Sequence, residues 1–179
     1  MLHSISPTQN QGRSKLCVSY AAYHWAKPIF GADCPPLSAF IALHRKLDTT
    51  DADDRMPYAL AATMLAHFGL IQPGWLSGAI LPSALSAALN RYPVILALPY
   101  YSAFGFSIFR KGLVHPDFCT VPPTTHAFHC YGQKSGEIYL QDSYGTALWY
   151  DGTFRLSSLA ILRLSLDGHL RGLILEPTN

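Results

Sequence analysis

The chain has 179 residues, 49% apolar and 13% charged, enough hydrophobic material to bury a core as one unit or as two small lobes sharing an interface. Thirteen Lys and Arg against 11 Asp and Glu leave a formal charge of +2, and no basic stripe interleaved with aromatics marks a nucleic-acid track, so nucleic acid is not an expected partner. No apolar run reaches the roughly 18 to 20 residues that span a bilayer, and Met1–Asn10 lacks the charged and apolar regions of a secretory signal. The expectation is a protein that stays in the cytoplasm or is exported or injected by a signal-independent route.

Helical patterns dominate the first half. Cys17 to Ala26 carries alanine and aromatic residues at helical spacing and is closed by Pro28, and Leu37 to Leu47 places Phe40, Ile41, His44 and Leu47 on one side. Met56 to Phe68 reads as a third helix ended by Gly69, and Pro82 to Arg91 as a fourth. Asp48 to Asp54 is a solvated loop. From Tyr92 onward the chain turns to short β patterns: Val94 to Leu98, His126 to Tyr131, Glu137 to Gln141, Ala147 to Tyr150, Thr153 to Leu156, Ala160 to Leu166 and His169 to Leu175. Asp167-Gly168 is read as a type I′ hairpin joining the last two. The expected class is α+β, with a helical lobe over residues 1–91, whose extreme N-terminus can cross to the other lobe, and an antiparallel, barrel-like β lobe over residues 92–179.

Four cysteines, Cys17, Cys34, Cys119 and Cys130, are too few for a disulfide scaffold and lack the paired spacing of a zinc site. Cys17 sits where the polar loop 11–15 turns into a helix, and a helix N-terminus favours a thiolate. Gln11 lies six positions earlier, placed to offer a side-chain N–H to a developing oxyanion. His126 opens a strand and Asp142 follows sixteen positions later, beyond a turn around Gln133 to Gly136. Adjacent antiparallel strands with that spacing let Asp142 accept from one imidazole nitrogen while the other faces the thiol. Cys130 reads as core, Cys34 and Cys119 as loop thiols, and His24, His44, His67 and His129 as packing or surface residues rather than metal ligands.

The stretch Asn10 to Ala21, with Gln11-Gly12 and Cys17, resembles the oxyanion-glutamine and nucleophile segment of papain-like cysteine proteases. His126-Ala127-Phe128 to Gly132, then Asp142-Ser143-Tyr144-Gly145-Thr146, resembles that family's histidine strand and its Asn-Ser-Trp-Gly-Thr motif, in the same order. Met56 to Leu70 and Tyr92 to Ile95 resemble its second helical segment and first β-lobe strand. The resemblance implies two lobes with an active site in the cleft between them, a Cys17, His126, Asp142 triad assisted by Gln11, and substrate contacts at Lys15, Leu16, Thr125, Tyr144 and Trp149. The chain departs from the family at Ser14-Lys15-Leu16-Cys17-Val18, where small residues and a following Trp are usual, and it has Asp142 for asparagine and Tyr144 for tryptophan.

The implied activity is hydrolysis of peptide or isopeptide bonds in a protein or peptide substrate through an acyl-enzyme, a chemistry that requires no metal or organic cofactor. The sequence begins without a matching inhibitory propeptide or lobe-stapling cysteines, which points to a reducing compartment and to a delivered bacterial effector or toxin. Nothing in the sequence names a partner or inhibitor protein. Two alternatives stay open: an acyltransferase of transglutaminase-like kind using the same triad, and a papain-fold module that binds without reacting.

Overall fold

The structure, a computed structural model, describes residues 1–11, 16–47, 57–72, 75–99, 112–114, 125–143 and 152–178. In chain order it contains α1 (Cys17–Phe30), a 3-10 turn (Gly31–Asp33), α2 (Leu37–Leu47), α3 (Pro57–His67), β1 (Leu76–Ala79), α4 (Pro82–Leu89), β2 (Val94–Pro99), β3 (Leu113–Val114), β4 (Thr125–Lys134), β5 (Glu137–Gln141), β6 (Thr153–Leu156), α5 (Ser158–Leu166) and β7 (Arg171–Ile174). The α+β class is therefore as expected. The strands form one sheet in the order β1-β7-β2-β4-β5-β6-β3. Among the described residues this is an open ladder rather than a closed barrel, and the β3–β6 pairing is parallel while the others are antiparallel.

The central strand β2 explains how the sheet carries two cores. All six of its residues are buried, and side chains alternate across a strand. Ile95 and Ala97 face a cluster with Val18, Ala22, Trp25, Phe40 and Leu65 from α1, α2 and α3. Val94, Leu96 and Leu98 face a second cluster with Leu85 of α4, Phe128, Phe154 and Ile161 of α5. Trp25 also donates its indole N–H to Pro93 O at 2.9 Å, tying α1 to the entry of β2. The sheet thus has helices against both faces, and α4, from the first half of the sequence, packs with α5 from the second.

Three further expectations are corrected. Ala160 to Leu166 is helix, not strand: Ser157 caps it by accepting Ala160 N–H on its hydroxyl at 3.2 Å, and Ala160, Ile161 and Leu164 make one buried face at helical spacing. Asp167-Gly168 consequently ends that helix instead of joining two strands. Gly168 has φ 72°, and the bonds His169 N–H to Leu164 O at 2.7 Å and Gly168 N–H to Ser165 O at 3.1 Å form the paired closure typical of a left-handed glycine cap. Helix α1 runs on through Pro28 to Phe30, because Pro28 removes one bond only in the last turn, and Ile29 and Phe30 pack on the first core. The strands β1 and β3 were not expected, and the expected strand Ala147 to Tyr150 lies outside the described residues.

Residues 1–11 run as a strap along the sheet. The pairing of β2 with β4 stops at Val94 opposite Cys130, and the strap takes up β4 beyond it: Leu2 bridges to Gly132, His3 N–H reaches Tyr131 O and Gln133 N–H reaches Met1 O, both at 2.8 Å. Only glycine fits at 132, where a Cβ would collide with Met1 O. Further along, Gln11 N–H donates to Ser143 O at 2.7 Å.

Candidate active site

The start of α1 places Cys17. Leu16 occupies the N-cap position with no side-chain cap, and the first turn holds no acidic residue, so the first-turn amides retain the partial positive charge of a helix N-terminus. Strand β4 brings His126 to the same point, and the thiol and imidazole are hydrogen-bonded. The sulfur also accepts from the backbone at Ala127 and Val18.

The β4–β5 hairpin places Asp142. Its turn is Ser135-Gly136, with φ of 53° and 78°, the two positive values a type I′ connection needs. That turn sets the register His129 opposite Gln141, and the next residue, Asp142, comes beside His126. His126 Nε2–H donates to Asp142 Oδ1 at 2.9 Å, in a site where both side chains are buried. With Nε2 committed to the carboxylate, Nδ1 is the nitrogen that faces the thiol. Asp142 Oδ1 also accepts Ser143 N–H at 2.6 Å, and Asp142 N–H is bonded to Gly152 O at 3.0 Å, so the carboxylate has little freedom to turn. The His126 ring meets Phe128 edge-on, with centroids 4.7 Å apart.

Burial opposes charge on both members of the pair, yet their mutual attraction wins. His126, against burial, is pushed up to about 9 by the hydrogen bonds it donates to Asp142 and Cys17 and by their charges. Cys17, also against burial, is lowered from the usual thiol range by His126 and by the two backbone contacts. The arrangement therefore favours the thiolate–imidazolium form of the pair.

Gln11 is buried, and its side-chain Oε1 accepts from Ser143 Oγ at 2.8 Å. Fixing the oxygen end on Ser143 turns the NH2 end of the amide the other way. Ser143 Oγ lies 3.3 Å from His126 Nε2 as well, so this serine links the glutamine to the histidine. Sequence reasoning quoted Ser143 within its motif and assigned it no role; its only signal was that position beside Asp142. Of the expected substrate contacts, Leu16 is half-buried at the head of α1 and Thr125 is exposed at the start of β4, opposite Pro99. Lys15, Tyr144 and Trp149 lie outside the described residues, as does Cys119. A surface hollow of about 690 Å³ bordered by Met1, Leu2, Ser86, Gln133 and Gly136 lies elsewhere and contains none of these side chains. Among the described residues, no helix is long and apolar enough to cross a membrane.

By sequence alone the chain matches no protein-family model and no curated protein. By structure it is similar to the Carica candamarcensis cysteine protease CMS1MS2, solved with E-64, at a TM-score of 0.64 and 13% identity over 98% of this chain and 95% of that one. It is similar to digestive procathepsin L2 proteinase from the larval midgut of Tenebrio molitor at a TM-score of 0.64 and 18% identity, covering 98% of this chain and 65% of that one. The chain has the papain-like cysteine protease fold.

Proposed function

We propose that the chain is a cysteine peptidase that cleaves peptide or isopeptide bonds, with Cys17 as nucleophile, His126 as general acid and base, Asp142 as the residue orienting the imidazole and Gln11 as an oxyanion donor. The observation that carries this reading is the buried relay in which Cys17, at a helix N-terminus, meets an imidazole whose other nitrogen is held 2.9 Å from Asp142. Residues 1–91 contribute Gln11 and Cys17 and residues 92–179 contribute His126 and Asp142, so we treat the two halves as one catalytic unit.

In the proposed reaction the Cys17 thiolate attacks the substrate carbonyl and forms a C–S bond. The oxyanion is held by the Cys17 backbone N–H, which has no intrahelical acceptor at the first position of α1, and by the Gln11 side-chain N–H. Collapse breaks the C–N bond while the imidazolium of His126 gives its proton to the leaving amine. Water then attacks the thioester, with His126 as base, releasing the acid and restoring the ion pair. The test is turnover of a peptide library that includes isopeptide-linked substrates, comparing the chain with Cys17→Ala. Cleavage that survives the substitution sinks the proposal.

Acyl transfer is the second reading, favoured by one observation: the orienting group is a buried carboxylate rather than an amide, which stabilises imidazolium more strongly. A trapped thioester released faster by added amines than by water would select it.

A further inference from the structure

His24 on α1 and His129 on β4 are both buried and stand apart from the groups assigned above. Their imidazoles stack, with centroids 6.5 Å apart and planes 15° from parallel. Each ring has one nitrogen engaged: His24 Nδ1 with Ser6 Oγ at 2.6 Å, and His129 Nδ1 with Gln141 Oε1 at 3.1 Å. Both Nε2 atoms are buried without a hydrogen-bond partner among the described residues. The Gln141 amide nitrogen donates to Ser6 O at 2.7 Å and to Thr8 Oγ1 at 3.2 Å. The pair therefore joins four pieces of chain: the strap of residues 1–11, α1, β4 and the end of β5. Those pieces carry Gln11, Cys17, His126 and Asp142.

We propose that His24 and His129 are positioning residues: as a neutral stacked pair they latch the strap against α1 and β5, and their protonation in acid lifts the strap and withdraws Gln11 from Cys17. The role given to Gln11 rests on the function proposed above; the latch itself does not.

The physical case is one of unmet demand. An imidazolium needs acceptors for two N–H groups, and the second nitrogen of each ring faces none among the described residues, while the stacked neighbour would become a like charge. The groups around the pair are Tyr20 and Tyr23 from α1, Tyr131 from β4, Gln141 from β5, and His3 and Ser6 from the strap. None of these is a carboxylate, and His3 also opposes protonation of His129. Asp142, the next residue along from Gln141, is committed to His126 and Ser143. Burial, with the neighbouring ring, holds His24 down at about 3; burial, partly offset by Gln141, holds His129 down at about 4. Of the four walls, residues 1–11 are the one that lies outside the named helices and strands, so opening there costs least.

The sign follows from linkage. With the strap lifted, the imidazoles regain an ordinary value near 6.5 and bind more protons than in the latched state, so acid favours lifting. From pH 6 to pH 5 each histidine moves that equilibrium by about sevenfold, and the two together by about fiftyfold.

The experiment is amide hydrogen exchange on the full chain between pH 6 and 5, corrected for intrinsic exchange, read at His3 and Gln11, whose N–H groups bond to Tyr131 and Ser143. The expected result is a loss of protection of about fiftyfold in the unaltered chain. In the double variant His24→Asn with His129→Asn, whose amides can bond where Nδ1 does but cannot take up a proton, protection should stay nearly flat. Each single Asn variant should show about a sevenfold loss, which keeps the test decisive if the double variant does not fold. Flat protection in the unaltered chain, or an unchanged slope in the single variants, overturns the latch. Cys17 alkylation in the same samples separates the two claims: an intact pH-dependent latch with an unreactive Cys17 sinks the proposed function and leaves the latch standing.

Discussion

Strand β4 carries two buried histidines three residues apart, and their surroundings drive them to opposite charge states. Burial works against the cation at both. His126 meets the Asp142 carboxylate and the Cys17 thiol and is pushed up to about 9, whereas His129 meets the neutral amide of Gln141 and the stacked ring of His24 and sits at about 4. Their partners are consecutive residues at the end of β5. One strand pair thus holds a charged imidazole and a neutral one side by side, and the deciding variable is whether the acceptor is ionised, not how deep the ring lies.

The comparison also sets a pH window. His126 has a raised value, so its pairing stabilises the fold fully below about 6.5 and is lost as pH rises through about 9. His24 and His129 have lowered values, so their contribution is present above about 6.5 and drains away as pH falls toward 4 and 3. Stability measured by denaturant midpoints should therefore peak near pH 6.5, falling below it as the contribution of His24 and His129 drains away and above it as that of His126 is lost toward about 9.

Removing the charged side of the comparison should have the largest effect. His126→Ala is expected to lower kcat/KM by about 10⁴-fold or more, the scale of losing a general acid and base together with thiolate stabilisation. It should also cancel the selective alkylation of Cys17 over Cys34 at mildly acidic pH, since Cys34 is raised by burial and has no imidazole partner. Equal labelling of the two thiols in the unaltered chain at about pH 5.5 would break the assignment of the ion pair.

Gln11→Ala comes next, with an expected fall in kcat of roughly 10- to 1000-fold and KM nearly unchanged, because the amide acts on charge that develops only in the transition state. A loss confined to KM would assign Gln11 to binding instead. Asp142→Asn converts the partner of His126 into the kind His129 has. It should cost about tenfold in kcat/KM and move the alkaline limb of the pH profile below about 9, while Asp142→Ala should cost about tenfold more. If Asn proves as damaging as Ala, the carboxylate charge rather than the hydrogen bond is what the reaction needs.

The smallest change expected is in Gln141→Glu, which gives His129 the partner that His126 has. NMR titration of the His129 ring should show its midpoint rising by about 1–3 in pH. An unmoved midpoint would mean that burial, not the partner, decides the charge state on this strand.

Much of the site was legible because its parts are local. Gln11 lies only six positions before Cys17, and the sixteen residues from His126 to Asp142 are a hairpin whose turn, Ser135-Gly136, is written in residues that tolerate positive φ. The bounds of α2, β5 and β6 likewise follow from periodicity within one element. What was missed depends on partners distant in sequence. Strand β1 is four residues, Leu76–Ala79, with no alternation to announce it, and exists by pairing with β7 almost a hundred residues later. Helix α5 was misread because a run of leucines fits either period, and its arbiter, the Ser157 cap, is a single hydroxyl.

The sequence by itself determined which chemistry-bearing residues exist and in what order: a cysteine at a helix start, a glutamine ahead of it, and a histidine and an aspartate on a hairpin. Only the tertiary structure decided their charge. Cys17 and His126 are 109 positions apart in the chain, and neither has any reason to ionise abnormally until the packing of α1 on β4 removes water from around both and leaves each as the other's counter-charge. The tertiary structure likewise decided that His129 and His24, which look no different from His126 as letters, meet each other instead of a carboxylate. A pKa reports the free-energy difference between two protonation states in a particular surrounding, and that surrounding is assembled from segments that the sequence lists far apart.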